Sequence, residues 1–334
     1  MTGPAAGAWT VATHDRLPPP AAGGRLAEGG RRLARPSPTV QPADGPVVSY
    51  ITVVRNAVAT LPRTLASVRA QRGAAVEHIV VDACSTDGTL ALIEAHAGQI
   101  DYYVSEPDGG LYHALNKALS LVSGSLVCVL NADDWLTPDA AAVALAALRR
   151  HDAQPLAPAA RVILSAAWQH NGGRRRLWLP GPLDAGSWLR CPNLCHNGVY
   201  ATPAALRAAG PYDTRLRVVA DTRWMLALHD AGVAVHTIST PTVHYVTGGL
   251  SGDVGRHVQE CAQLLRLGFP ALSDDEAWVL LHAFYPWAGN LVPFAARCPP
   301  HLGQALQALA TRHAGDTRLQ AALQAAGAAA QYPQ

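Results

Sequence analysis

The sequence predicts an α/β protein built on an open, mainly parallel sheet with helices on both faces. A small antiparallel hairpin and a helical C-terminal extension follow it. Three observations carry this expectation. Four strand-like segments alternate with three helix-like ones between residues 47 and 134. The strand-like segments are continuous apolar runs rather than alternating ones, as strands covered on both faces require. Of 334 residues, 49% are hydrophobic and 15% charged, which supports a sizeable core and argues against global disorder.

Residues 1–46 are rich in Pro, Gly, Ala and Arg and show no periodicity, so a disordered tail is expected there. Val47–Val54 reads as the first buried strand. A helix follows with Leu61, Leu65 and Val68 on one stripe and Pro62 in its first turn. Glu77–Asp82 is a second strand, Thr86–His96 a helix and Ile100–Val104 a third strand. Leu111, Leu115, Ala118, Leu119 and Val122 share one helical face. Ser125–Leu130 is a fourth strand, ending at Asn131-Ala132-Asp133-Asp134. Thr137-Pro138 opens a helix that runs to Arg150. Val162–Trp168 and Arg176–Leu179 flank Asn171-Gly172-Gly173 as a hairpin. Thr202-Pro203 opens a short helix, Asp221–His229 is helical, and Val233–Ile238 is a further strand. From Val254 onward the pattern is helical, which places an extension over 251–334.

Charge and cysteine usage exclude several classes. Lys+Arg 26 against Asp+Glu 24 leaves +2, so no strong field favours a nucleic acid partner. Lys117 is the only lysine. Six scattered cysteines, with no apolar leader ahead of them, suit reduced thiols in a cytoplasmic protein. Cys191, Cys195 and His196 lack a second ligand pair at zinc-like spacing. No run of about 18 cleanly apolar residues exists. The nearest, residues 277–296, has two readings: a peripheral contact with the inner face of a membrane, or a buried helix and turn.

In an open α/β sheet, ligands bind beyond the carboxyl ends of the strands. Here those ends supply Arg55-Asn56, Asp82 and Asn131-Ala132-Asp133-Asp134. Clustered carboxylates need a cation or hydrogen-bond donors. The chain has no Gly-x-Gly-x-x-Gly after its first strand, no P-loop and no Gly-x-Ser-x-Gly elbow. What remains is a nucleotide held by carboxylates and metal.

The motifs Ile51-Thr52-Val53-Val54-Arg55-Asn56, Ile79-Val80-Val81-Asp82-Ala83-Cys84-Ser85-Thr86-Asp87-Gly88-Thr89, Ser105-Glu106-Pro107-Asp108-Gly109-Gly110-Leu111-Tyr112-His113-Ala114-Leu115-Asn116-Lys117 and Leu130-Asn131-Ala132-Asp133-Asp134 resemble family 2 glycosyltransferases. A weaker likeness continues through His196, Gly210-Pro211-Tyr212-Asp213, Asp221 and Gly248-Gly249-Leu250-Ser251. The subgroup resembled acts in exopolysaccharide and colanic-acid-like assembly. The resemblance implies a GT-A fold over 47–250, inverting transfer of one sugar from a nucleotide-diphosphate sugar, and Mn²⁺ or Mg²⁺ as cofactor. A UDP-sugar is expected ahead of a GDP-sugar, with a glycan or lipid-linked acceptor.

Such a transfer passes through an oxocarbenium-like transition state. The diphosphate leaving group needs positive charge, the acceptor hydroxyl needs a base, and the nucleotide needs a recognition site. Asp133 is the first candidate metal ligand and Asp134 the second; the alternative is a turn before Trp135. Asn131 stands where the family's first carboxylate does. Asp82 is the candidate for the base or ribose, with turn capping assigned to Asp87 instead. Thr52 and Arg55 end the neighbouring strand, and a guanidinium at Arg55 can stack or bring charge to phosphates. Asp108 is either a helix cap or a ligand contact. Tyr112 with Asn116 and His113 with Lys117 share the helix side away from the leucines, as ligand contacts or as a solvated face. Asp221 is the candidate general base; a helix cap is its alternative. His196 is an acceptor or phosphate contact or a structural histidine, and His244 is a second choice for metal or phosphate.

Asn131 and His113 also motivate a competing reading, a catalytically silent sugar-nucleotide or glycan-binding partner in an assembly complex. A nucleotidyltransferase on a similar sheet would lack its basic, glycine-rich phosphate loop here.

Overall fold

Every residue of Val47–Val54 is buried, because helices cover both faces of this strand. The computed structural model describes residues 16–18, 24–34, 46–152, 158–249, 253–285 and 292–329. These fall into two units. The first holds 1–180, 194–217 and 231–247; the second holds 181–193, 218–230 and 248–334.

The first unit contains all ten strands. In chain order they are β1 (Ala27–Gly29), β2 (Val47–Val54), β3 (Ala75–Asp82), β4 (Tyr102–Ser105), β5 (Leu126–Val129), β6 (Trp135–Leu136), β7 (Arg161–Asn171), β8 (Arg174–Trp178), β9 (Val199–Ala201) and β10 (Ala234–Val246). They lie in the order β1-β4-β3-β2-β5-β9-β7-β10-β6, with β8 paired to β7. Strands β4, β3, β2 and β5 run parallel, as do β7 and β10. The expected mainly parallel sheet is therefore present, with short antiparallel strands inserted at β9 and at both edges.

Helices α1 (Arg31–Ala34), α2 (Leu61–Arg69), α3 (Thr89–Ala95), α4 (Leu111–Leu119), α5 (Ala140–Asp152) and α7 (Pro203–Ala209) belong to this unit, and α6 (Ser187–Arg190) to the second. One core layer packs Tyr50, Leu126 and Cys128 against the alanine-rich face of α5. Another packs Val54, Val80 and Tyr103 against Leu61, Leu65 and Ile93. Burying each such aliphatic side chain is worth about 1.5–3 kcal/mol.

The expected disordered tail is corrected for the residues described. Residues 24–34 form an edge strand and a helical turn on the sheet. Ala27 to Gly29 pair with Ser105 to Tyr103, and Gly30 takes φ 108°, where an added Cβ would meet Asp101 O at 2.7 Å. The buried Arg32 guanidinium pairs with the buried Glu77 carboxylate. Burial against tertiary partners holds a segment that has no local periodicity of its own.

The β7–β8 hairpin turns on Gly172 and Gly173 at φ 54° and 82°, the left-handed pair that a two-residue turn requires. Strand β10 extends eight residues beyond Ile238, the end expected from sequence, because Pro241 sits at a register shift where a missing N–H is tolerated.

The second unit is helical: α6, α8 (Ala220–Asp230), α9 (Val254–Gly268), α10 (Asp274–Phe284), α11 (Val292–Ala295), α12 (Leu302–Arg312) and α13 (Thr317–Ala329). Its boundary differs from the expected extension over 251–334, because segments 181–193 and 218–230 fold with it. Trp188 shows why. Its indole donates to Asp230 at 3.1 Å, its ring meets Phe269 edge-on at 5.7 Å, and the Arg318 guanidinium covers it at 4.6 Å. Ser273 and Glu276 form a capping box that starts α10. Ala277, Trp278, Val279, Leu280, Leu281 and Tyr285 are buried within this unit, so 277–285 takes the buried-helix reading rather than the membrane one. Residues 286–291 lie outside the described residues, as do Leu250 and Ser251. Among the described residues, no helix is long and apolar enough to cross a membrane.

Candidate active site

The parallel register of β2 with β3 and β5 brings Val54, Asp82 and the turn after Val129 to one sheet edge. Two loops cross there and are tied together. The Asn56 N–H donates to Ser85 Oγ and the Thr86 N–H to Asn56 Oδ1, each at 2.8 Å. The Ala57 N–H donates to Thr89 Oγ1 at 2.8 Å and the Val58 N–H to Asp87 at 3.1 Å. Asn56 and Cys84 both adopt φ 52°, a left-handed conformation that tight loops at functional sites often hold.

Asp82 is buried at the base of this cradle. Its Oδ2 accepts from the Ser85 N–H at 3.0 Å and from the Ser105 hydroxyl at 2.6 Å; its Oδ1 accepts from the Ser85 hydroxyl. The turn-capping role expected of Asp87 alone is thus shared by Asp82. Arg55 is exposed beside it. Thr52 does not join the site. It is fully buried, and its hydroxyl pairs with His78 Nε2 at 3.0 Å inside the sheet.

Asp133 and Asp134 differ sharply. The Asp134 side chain is fully enclosed. Its Oδ1 accepts from the Val246 N–H at 2.7 Å, and its Oδ2 from the side-chain amides of Asn197 and, at 3.5 Å, Asn131. Burial first, and the neighbouring Asp133 second, push its carboxyl up to about 8. Asp134 therefore does not fit as a metal ligand: its oxygens already hold β5, β10 and the 196–198 turn together. Asn131 is drawn into the same knot. Asp133 is half-buried, and desolvation raises its carboxyl while Arg63 opposes the rise. The Arg63 guanidinium donates to Asp133 O at 3.0 Å and stacks on Trp135 at 3.5 Å.

Among the described residues, no three His, Cys, Asp or Glu side chains converge to hold an ion, so any ion at Asp133 would need phosphate and water to complete its shell. His244 stacks on Trp135 at 4.7 Å and pairs with His170 at 2.9 Å. Burial lowers it to about 4, so it is neutral and brings no charge to a phosphate.

On the 105–117 segment, Asp108 takes the capping reading. Its Oδ1 accepts from the Gly110 N–H at 2.8 Å, and its buried Oδ2 has no hydrogen-bond partner among the described residues. Lys117 is a brace. Its ammonium donates to Pro107 O at 2.9 Å and pairs with the buried Glu106 at 2.8 Å, and Arg25 pairs with the other Glu106 oxygen at 2.8 Å. Asn116 spends both amide groups on the Tyr212 backbone, each at 2.9 Å. Tyr112 stacks on Tyr212 at 5.7 Å, and His196 pairs with the Tyr212 hydroxyl at 2.9 Å. These three therefore hold the 210–213 loop on α4. The structural alternative for His196 is the one observed, and Asn116 is neither a solvated face nor a free ligand contact but a tie to the Tyr212 backbone. His113 is exposed at the helix start.

Asp221 lies in the second unit, in the first turn of α8, where its Oδ1 accepts from the Thr222 N–H at 2.7 Å. That first-turn bond is compatible with the capping alternative for Asp221, while Glu260 accepts from the Val218 and Val219 N–H groups just before the helix, at 2.8 and 3.1 Å. Sequence reasoning missed Ser85, Ser105, Glu106, Arg63 and Asn197. Ser85 and Ser105 stand within or beside the recognised motifs, but nothing local shows that both turn toward Asp82.

Residues 49–190 match the family model for glycosyl transferase family 2. The chain carries a family 2 glycosyltransferase domain. It is 43% identical over 105 residues to the uncharacterized glycosyltransferase Rv1514c of Mycobacterium tuberculosis, a match covering 31% of this chain and 40% of that relative. The chain thus matches less than half the length of that relative. Among solved structures, Staphylococcus aureus TarS in complex with UDP aligns with TM-score 0.54 and 16% identity, over 73% of this chain and 72% of that one. The Pyrobaculum calidifontis mannosyltransferase PcManGT, in complex with GDP-Man and Mn²⁺, aligns with TM-score 0.51 and 19% identity, over 87% and 88%. At such identities the likeness concerns the fold, and it agrees with the α/β GT-A expectation for the glycosyltransferase domain.

Proposed function

We propose that the glycosyltransferase domain transfers a single sugar, with inversion, from a nucleotide-diphosphate sugar to a hydroxyl of a glycan or lipid-linked acceptor in polysaccharide or glycoconjugate assembly. The observation that carries this reading is that Asp82 and the turn bearing Asp133 both stand at the carboxyl end of the parallel strands β3 and β5, within the segment that matches family 2. Fold-level neighbours bound to UDP and to GDP-Man support the donor class.

Asp82, oriented by Ser85 and Ser105, faces the nucleoside beside Arg55. Asp108 Oδ2, which has no partner among the described residues, would offer an acceptor to a donor hydroxyl. Asp133 would hold Mn²⁺ or Mg²⁺, and the bound ion supplies positive charge to the departing diphosphate. Arg63 lies next to Asp133 and adds charge of its own. By the family resemblance alone, Asp221 is the base that would take the proton from the acceptor hydroxyl as that oxygen bonds to the anomeric carbon and the carbon–phosphate oxygen bond breaks.

The test is direct. Purified protein is incubated with UDP- and GDP-sugars, with and without Mn²⁺, and nucleoside diphosphate release is followed. Release that depends on Mn²⁺ and on Asp133 is the expected result. Sugar-nucleotide binding with no release under any metal would favour the silent binding partner, a reading kept by Asn131 in place of a first carboxylate.

A further inference from the structure

Strands β7 and β8 form a hairpin whose second strand is bonded on one side only. Arg174, Arg175 and Arg176 follow one another on it, all exposed. Leu177 and Leu179, just beyond, are 43% and 52% exposed. Residues 161–180 contain no Asp or Glu. None of the three arginines pairs with a carboxylate among the described residues; Arg175 stacks on Trp168 at 4.4 Å, and Arg176 bonds to Gln169.

Charge on an edge strand commonly serves to block pairing with another sheet. That purpose accounts for the arginines but not for two large apolar side chains held in water beside them. Three cations next to the turn, followed by two exposed leucines along and just beyond the same edge strand, match a surface that is anionic at its face and apolar just beneath. That is the make-up of a bilayer with anionic headgroups. Arginine side chains suit it, because their stems lie along apolar surface while the guanidinium stays at the headgroups.

We infer that the β7–β8 hairpin docks the protein on an anionic lipid bilayer. Arg174–Arg176 contact headgroup phosphates and Leu177 and Leu179 enter the acyl boundary. This site is separate from residues 277–285, whose apolar side chains are buried in the helical unit, and it does not depend on the sugar-transfer reading.

The full chain is sedimented with vesicles of phosphatidylcholine alone and of phosphatidylcholine with phosphatidylglycerol. Wild type pellets with the anionic vesicles only. Raising salt from about 0.1 M to about 1 M, which shortens the Debye length from about 10 Å to about 3 Å, releases it. The triple variant R174Q/R175Q/R176Q partitions on the order of 100-fold more weakly, at about fivefold per basic residue. L177S/L179S retains the charge and weakens partitioning on the order of tenfold. All five side chains are exposed, so melting curves matching wild type serve as the folding control. The proposal is overturned if wild type stays in the supernatant, or if either variant pellets as wild type does. Retention on a soluble acidic polypeptide without vesicle binding also overturns it, in favour of an acidic protein partner.

Discussion

Asp133 and Asp134 are adjacent in sequence and opposite in circumstance. Asp134 is enclosed and accepts from Val246 and Asn197. Replacing it with Ala orphans those donors and should cost about 2–4 kcal/mol of stability, read as a lower urea midpoint. Asp133→Asn should leave that midpoint near wild type and remove the Mn²⁺-dependent release of nucleoside diphosphate. Equal loss of stability in both variants would sink the distinction. Asp221→Asn should lower transfer by about 10²–10⁴-fold, the usual worth of a general base, while nucleotide affinity stays near wild type. Wild-type turnover in that variant would remove Asp221 from the mechanism. None of this contrast is legible in the string Asn-Ala-Asp-Asp, because the donors arrive from residues 197 and 246.

At the scale of elements, β2 and β3 share two buried polar pairs, Thr52 with His78 and Ser49 with Glu77. His78 is buried on β3, and burial lowers it to about 3. An unfolded histidine titrates near 6.5. Below that pH the unfolded chain takes up a proton that the folded chain refuses, so stability falls as pH drops from about 6.5 toward 3 and is complete above 6.5. The melting temperature should therefore be lower at pH 5 than at pH 7, and His78→Gln should narrow the gap. Glu77, next to His78, is held by Arg32, by the Ser49 hydroxyl at 2.5 Å and by the Ser123 N–H at 2.9 Å. Arg32→Ala leaves that buried carboxylate without its cation, and chemical denaturation should show a loss of about 3 kcal/mol. Periodicity showed β2, β3, α2 and α4 nearly to their ends. It passed over β1, β6 and β9, each of three residues or fewer, since so short a strand holds no repeat to detect.

For the molecule as a whole, a donor analogue that binds only the folded chain raises the melting temperature by mass action. Saturation at about 100 times the dissociation constant adds about 2.7 kcal/mol. UDP and GDP, each with and without Mn²⁺, should give shifts that rank base preference, and the metal-dependent part should vanish in Asp133→Asn. A screen with no shift for either nucleotide would count against the proposed donor class. The near-neutral net charge of +2 also hides strong local asymmetry: an acidic sheet edge at Asp82 and Asp133, and an arginine run at 174–176.

The sequence by itself determined the α/β alternation, the family motifs and the strand ends where a ligand would sit. Those features are local: a buried strand needs a continuous apolar run, and a motif is a spacing along one segment. Only the tertiary structure decided which polar residues of those motifs are left open to a ligand. Asn116, Lys117 and Asp134 are consumed by Tyr212, Glu106 and the pair Asn197 and Val246, whereas Asp108 keeps one buried oxygen without a partner among the described residues. A side chain's spare hydrogen-bonding capacity depends on neighbours brought from distant parts of the chain, and no local pattern encodes them.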